Sequence, residues 1–207
     1  MIDLHTTPTA NGLKASIMLE ETGLEYRVHK YDLVKGENFK PEFLAINPVA
    51  RIPAIVDHDV PGGEPLPVYG TAAILLHLAE KTGTLLPRDP VTRAKVFQWL
   101  GIVQSDIGAA YTGQFVFNVM APERIPWALE FFEAQCIRMV STLELQLGKT
   151  RYVTGEEYTI ADVIAYPVAT VSMTKHPGNL ENFPNLRRWV ALVGQRPAVQ
   201  RGMTVGK

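Results

Sequence analysis

At 207 residues and a formal net charge of −1, the chain has room for one sizeable domain or two small ones, and no electrostatic case for nucleic acid or an anionic membrane surface. Apolar residues make up 46% and charged residues 20%, a globular balance that excludes the disordered and fibrous classes. A single cysteine, Cys136, excludes an intrachain disulfide framework and a Cys-x-x-Cys redox pair. The N-terminus "MIDLHTTPT" lacks the basic start and apolar stretch of a secretory signal, and no apolar run is long enough to span a bilayer, so a cytoplasmic protein is expected.

In chain order, "MIDLH" predicts a strand. Residues 12–23 predict a helix with Ala15, Met18, Leu19 and Thr22 on one face and Glu20 on the other. "YRVHKYDL" (Tyr26 to Leu33) alternates as a strand does. "KPEFLAINP" predicts a short helix that opens with Pro41 and stops at Asn47-Pro48. "IPAIVDHD" and "EPLPVY" read as antiparallel strands joined by a turn at Pro61-Gly62-Gly63. "GTAAILLHLAEKTG" predicts an amphipathic helix with Ala72, Leu75, Leu76 and Ala79 inward and His77, Glu80 and Lys81 toward water.

This β-α-β-α-β-β-α order predicts a small α/β layer domain with a mixed sheet over residues 1–82. "TGTLLPRDP" then breaks the periodicity, and residues 83–90 are expected to be a linker. Beyond Pro90 the strand signals almost vanish. Helical periodicity over 91–117, 123–147, 159–174 and 184–195 predicts an all-helical domain spanning 91–207. The fold class is α/β plus all-α.

Three short segments carry possible chemistry. In "TTPTANGLKASIMLEE", Thr9 and Asn11 precede a helix, where such residues are ordinary caps. A helix start also favours a negative atom and lowers the pKa of a thiol held there, so a hydroxyl and an amide at this place would stabilise a ligand's thiolate. In "RIPAIVD", Pro53 is either a strand-start proline in trans or a cis bond that leaves the Ile52 backbone groups facing outward for an extended peptide. In "VYGTAAILLHL", Thr71 is either the N-cap of a helix or one arm of a carboxylate site made with the free N–H groups of the first turn.

Other features read as structural. Thr159 and Asp162 have capping-box spacing, with Asp where Glu or Gln is usual. Cys136 lies in mid-helix without a basic neighbour in its own turn and reads as a buried thiol. His5, His29, His58, His77 and His176 lack metal-ligand spacing, so no metal site is expected. Trp99, Trp127 and Trp189 read as core or interface residues.

Together these segments resemble the cytosolic glutathione transferase family over essentially the whole chain. "RIPAIVD" carries the thioredoxin-like first domain, and "GEEYTIADV" (Gly155 to Val163) carries the all-helical second one. "TPTANG", "GENFKPEFLAINP" and "FNVMAPERIPWALE" are most similar to the bacterial nu class and the fungal prion-type homologues.

The resemblance implies a homodimer whose first domain binds glutathione as co-substrate, with an electrophile or a disulfide as the unknown second substrate. It implies that Thr9 and Asn11 approach the glutathione sulfur and that Ile52, before a cis Pro53, pairs its backbone with the cysteinyl unit. Asn38 stands where the class has a Gln near the glycine end, Arg51 where a basic residue reaches the same carboxylate, and Thr71 where a Ser holds the γ-glutamyl carboxylate. Tyr111, Phe115 and Phe117 are the candidate lining of a second-substrate pocket.

Two departures stand out. Gly70 occupies the place of an acid that binds the γ-glutamyl amine, and Phe131 and Phe132 fill a segment where the class tends to place an Arg. Asp106 is a candidate replacement for the missing acid. Intact Thr9, Asn11 and Pro53 favour an enzyme, either a glutathione-dependent transferase or a disulfide reductase. Gly70 and the two Phe residues favour the alternative, a binding or scaffold protein on the same fold.

Overall fold

Four strands form one mixed sheet in the order β2-β1-β3-β4: β1 (Ile2–Thr6), β2 (Tyr26–Lys30), β3 (Ala54–Asp57) and β4 (Leu66–Tyr69). β1 pairs parallel with β2 and antiparallel with β3, and β3 pairs antiparallel with β4. The computed structural model describes residues 1–172 and 180–207. The end of the helix expected over 159–174, His176 and much of the connector "KHPGNLENFP" lie outside the described residues.

The chain divides into two compact units, Met1–Leu86 with Leu192–Lys207, and Pro87–Ala191. In the first, α1 (Ala10–Thr22) starts at Thr9, whose hydroxyl accepts the Gly12 N–H at 3.2 Å, and closes at Gly23 with φ 67°. Every residue from Gly12 to Leu19 is buried, so the one-sided amphipathic helix expected from the sequence is in fact covered more widely. The cause is α9 (Pro197–Gly202), a helix that the periodicity did not predict. It packs on α1 while α3 (Thr71–Thr82) packs there too. A Cβ on Gly202 would lie 2.6 Å from the Ile17 Cα, so the close approach requires glycine. Two ion pairs hold the chain end to α1: Arg196 to Glu21 at 2.7 Å, and Arg201 to Glu20 at 2.6 Å.

The buried face of α3 is Thr71, Ile74, Leu75, Leu78 and Ala79; the expected Ala72 and Leu76 are only half-buried. His77 and Lys81, expected in water, instead reach the fully buried Asp57 at the end of β3, at 2.8 and 3.1 Å. Burial raises the Asp57 carboxyl, but hydrogen bonds from His77, the Asp59 N–H and Lys81 more than offset it, and the net shift is downward. A short helix α2 (Pro41–Leu44) opens with its proline, as predicted.

The second unit is helical among the described residues. α4 (Pro90–Gly101) is capped by Asp89, which accepts the Thr92 N–H at 2.7 Å. It runs through wider i→i+5 turns at Ile102–Ile107 and Val116–Met120 on either side of α5 (Gly108–Phe115). α5 packs on α6 (Pro126–Leu147), and α4 packs on α7 (Ile160–Pro167). α8 (Pro184–Gly194) supplies the fully buried Trp189.

The expected capping box is present: the Asp162 carboxylate accepts the Thr159 N–H at 3.0 Å, and it also takes the Val153 N–H and the Trp189 indole N–H. Burial nonetheless pushes the Asp162 carboxyl up to about 6. Trp99 is buried as well, whereas Trp127 is 70% exposed and stacks on Phe131 at 5.4 Å. Cys136 is buried, and burial pushes its thiol up to about 12.

Candidate functional site

Strand register gathers the segments singled out in the sequence. His5 at the end of β1 is paired with Ala54 at the start of β3, and Ala54 with Tyr69 at the end of β4, while Thr6 is paired with Lys30 at the end of β2. The segments Thr7–Asn11, Arg51–Pro53, Gly70–Thr71 and the loop after Lys30 therefore all leave the sheet at the same end. Eight of the predicted residues, Thr9, Asn11, Asn38, Arg51, Ile52, Pro53, Gly70 and Thr71, belong to this cluster of loops and helix starts.

The mouth of α1 is tied down from both sides. Thr7 donates its hydroxyl to the Tyr31 carbonyl, and the Tyr31 N–H reaches the Thr6 carbonyl at 3.1 Å. A Cβ on Gly12 would lie 2.0 Å from the Thr7 carbonyl oxygen, so only glycine lets the helix start seat this closely. Thr9 uses one acceptor position of its hydroxyl as the cap, and its hydroxyl proton has no acceptor among the described residues. Asn11, expected before the helix, lies instead in its first turn because α1 begins at Ala10; it is exposed and accepts from the Lys14 ammonium at 2.8 Å.

Ile52–Pro53 is a cis peptide bond, which decides between the two sequence readings. Ile52 precedes β3, and its N–H and C=O enter no backbone hydrogen bond among the described residues. Asn47, which the sequence reading treated only as a helix stop, braces this turn. Its amide donates to the Arg51 carbonyl at 2.6 Å, and its oxygen accepts the Val49 N–H at 3.0 Å. Arg51 is exposed and forms no ion pair among the described residues.

Asn38, in the turn Glu37–Phe39, is only 8% exposed and donates to the Ala50 carbonyl at 2.7 Å. Its Oδ1 is buried without a partner among the described residues, an acceptor that suits an incoming N–H.

At α3 the structure removes one of the two readings of Thr71. Thr71 is not the N-cap; it is the first helical residue, buried, and Gly70 occupies the cap position at φ 83° without a side chain to bond the first turn. The first intrahelical bond runs from the Ile74 N–H to the Gly70 carbonyl, so the preceding N–H groups and the Thr71 hydroxyl remain available to an anion. A Cβ on Gly70 would meet nothing within 4 Å, so open space stands where the acid was expected.

In the second unit, Tyr111 is buried, Phe115 is exposed one turn further along α5, and Phe117 is half-buried and stacked on Phe132 at 5.4 Å. The Phe132 ring fills the space over Gly113, where a Cβ would lie 2.1 Å from it. Phe131 stacks on Trp127. Asp106 is exposed and accepts from the Ser105 hydroxyl at 2.6 Å. Among the described residues, no three His, Cys, Asp or Glu side chains are grouped to hold a metal ion.

A sheet of this topology with a cis-proline loop, followed by a helical unit, defines a thioredoxin-like domain joined to a helical domain. The descriptions "Glutathione S-transferase, N-terminal domain" and "Glutathione S-transferase, C-terminal domain" match residues 10–81 and 133–197, and the chain belongs to the glutathione S-transferase family. It is 40% identical to the disulfide-bond oxidoreductase YfcG of Escherichia coli (strain K12), over 98% of this chain and 94% of that protein. A solved glutathione transferase of Burkholderia graminis, with two glutathione molecules bound per subunit, superposes with TM-score 0.93 at 34% identity, covering 100% of this chain and 88% of that one. One from Pseudomonas putida, with one glutathione disulfide bound per subunit, gives TM-score 0.92 at 34% identity, covering 100% and 92%.

Proposed function

We propose that the protein is a glutathione-dependent enzyme whose thiol is brought by the ligand, and that its main chemistry is reduction of disulfides, with transfer to electrophiles as the related activity. The observation that carries this reading is the strand register, which sets three unspent polar features at one end of the sheet: the Thr9 proton, the Ile52 backbone groups and the uncapped first turn of α3. Their chemistry matches a thiol, an extended peptide unit and a carboxylate in turn.

In this reading Thr9 donates its hydroxyl proton to the sulfur, Asn11 adds its amide, and the start of α1 contributes a favourable dipole, all of which lower the thiol pKa. Ile52 pairs with the cysteinyl unit as an added strand would. Thr71 and the first turn of α3 take the γ-glutamyl carboxylate, while the Asn38 Oδ1 and the Arg51 guanidinium serve the glycine end. Cys136 plays no part, because its buried thiol carries almost no thiolate at neutral pH. Two glutathione molecules in the Burkholderia graminis structure, the disulfide in the Pseudomonas putida structure and the name of the Escherichia coli relative favour the reductase over simple transfer.

Exposed Phe115 and half-buried Phe117 offer an apolar face to the second substrate, with Tyr111 one turn earlier on the same helix. We assign the chain to the nu class, to a homodimer and to the cytoplasm, with residues 1–82 and 91–207 as its two domains in sequence, 83–90 between them, and the final stretch Leu192–Lys207 returning to pack with the first. The exposed Leu66 and Tyr69 on edge strand β4 and Phe97 on α4 support the dimer, and the lone buried cysteine supports a reducing compartment.

The test is turnover of a small mixed disulfide with reduced glutathione, measured for the wild type and for Cys136→Ala. Equal turnover supports the reading; loss of turnover in the variant, with the fold intact, contradicts it. One observation favours the second reading, a scaffold with weakened glutathione affinity: Gly70 presents no carboxylate to the ligand's amine.

A further inference from the structure

Lys14 is the buried cation that the proposed reaction leaves unused. It lies on α1 one turn beyond Asn11, is 1% exposed, and among the described residues forms no ion pair. Burying an ammonium without a carboxylate is costly, and a fold keeps such a group only where something compensates. Burial alone pushes this ammonium down to about 8.

The charged groups on neighbouring elements are engaged elsewhere. Asp3 of β1 is bound by Arg27, His77 and Lys81 of α3 by Asp57, and Arg201 of α9 by Glu20; Glu80 of α3 is exposed. His5 of β1 bonds to the Tyr31 hydroxyl. On α1 itself, Glu20 and Glu21 take Arg201 and Arg196. The Lys14 ammonium donates to the Asn11 side chain at 2.8 Å.

An ammonium has donors only, so the Asn11 atom facing it must be the oxygen, and the amide cannot flip without placing two donors together. The Asn11 NH2 is thereby left as the outward end, without a partner among the described residues. We propose that Lys14 is a positioning residue for the thiol site, holding Asn11 Oδ1 so that the Asn11 NH2 is presented to the glutathione sulfur. This inference rests on the reading of Thr9 and Asn11 as the sulfur end of a glutathione site. It also explains why a helix otherwise buried from Gly12 to Leu19 carries a lysine inside that stretch.

The experiment uses Lys14→Met, which keeps the volume and removes the donor, and Lys14→Gln, which keeps a donor without the charge. In the ligand-free protein, 15N relaxation of the Asn11 side-chain amide reads the contact directly. The amide is expected to be ordered in the wild type and in Lys14→Gln, and mobile in Lys14→Met. An amide equally ordered in Lys14→Met overturns the proposal, whether or not glutathione binds.

With reduced glutathione added, the ultraviolet absorbance of the bound thiolate is followed against pH. Lys14→Met is expected to raise the bound thiol's pKa by about one unit and lower kcat/KM about tenfold, with Lys14→Gln restoring most of both. The double variant with Asn11→Ala should show no further shift beyond Asn11→Ala alone; full additivity overturns the proposal. Thermal stability of Lys14→Met should equal or exceed the wild type, because a buried charge with no carboxylate partner has been removed. A wild type that binds no glutathione contradicts the proposed function alone, since the relaxation arm still decides the role of Lys14.

Discussion

The Thr9 hydroxyl accepts the Gly12 N–H at 3.2 Å while its own proton has no acceptor among the described residues. Capping and thiol activation, which the sequence presents as alternatives, are thus compatible: a hydroxyl accepts with its lone pairs and donates with its single proton. Thr9→Ala should remove both. Loss of a hydrogen bond to a charged sulfur is worth about 1.5–3 kcal/mol, on the order of ten- to a hundredfold in kcat/KM. Loss of the cap should cost about 1 kcal/mol of stability. Thr9→Ser should restore both, as read by disulfide turnover and denaturant melts; turnover unchanged in Thr9→Ala would remove Thr9 from the site.

Gly70 sits at φ 83° with open space where a side chain would project. Gly70→Glu should therefore lose stability, about 1–3 kcal/mol for a non-glycine residue in this conformation. It should at the same time tighten glutathione about ten- to a hundredfold by supplying a carboxylate to the ligand's amine. A destabilised variant with unchanged affinity would mean that another group already meets the amine.

Gly12 approaches the Thr7 carbonyl so closely that a Cβ would lie 2.0 Å from its oxygen. Gly12→Ala should push the helix start off the Thr6–Thr7 segment. Such overpacking costs about 1–3 kcal/mol and more where backbone must move. The prediction is a lower melting temperature together with a raised pKa of the bound thiol, because the same shift moves Thr9. A variant with wild-type values for both would show that the loop yields without consequence.

His5 is buried at the end of β1, stacked on His29 and bonded to the Tyr31 hydroxyl at 2.9 Å. Burial, with the neighbouring His29 adding to it, pushes its imidazole down to about 4 from an ordinary 6.5. Between those values the unfolded chain binds a proton that the folded protein refuses. Stability from this residue is therefore complete above 6.5 and falls as the pH drops toward 4, by about 3 kcal/mol over the window. Urea melts of the wild type and His5→Phe across this range should diverge by that order, with the wild type losing more. Parallel curves would assign acid sensitivity to other groups.

The fold was legible where local signals agree with burial. The strands, the Pro41 helix start and the Thr159–Asp162 box follow from periodicity and capping chemistry alone. What the sequence hid depends on partners distant along the chain. His77 and Lys81 look like a solvated face until β3 brings Asp57 beneath them. α1 looks one-sided until α9 returns from the chain's end to cover its second side.

The site divides in the same way. Thr9, Asn11 and Pro53 are readable as motif positions, but Lys14 carries no motif of its own, and Asn47 reads as a helix stop. Burial is what sets Lys14 apart, and two hydrogen bonds across a turn set Asn47 apart. Of the two readings open for Thr71, the N-cap falls away because Gly70, at φ 83°, takes the cap position one residue earlier.

The central claim is that the ligand supplies the thiol, and calorimetric titration of the purified protein with reduced and oxidised glutathione tests it most directly. The account predicts saturable binding of both at or below millimolar concentration, with proton release on binding the reduced form near neutral pH as its thiol ionises. Absence of heat from either ligand at millimolar concentration would contradict it.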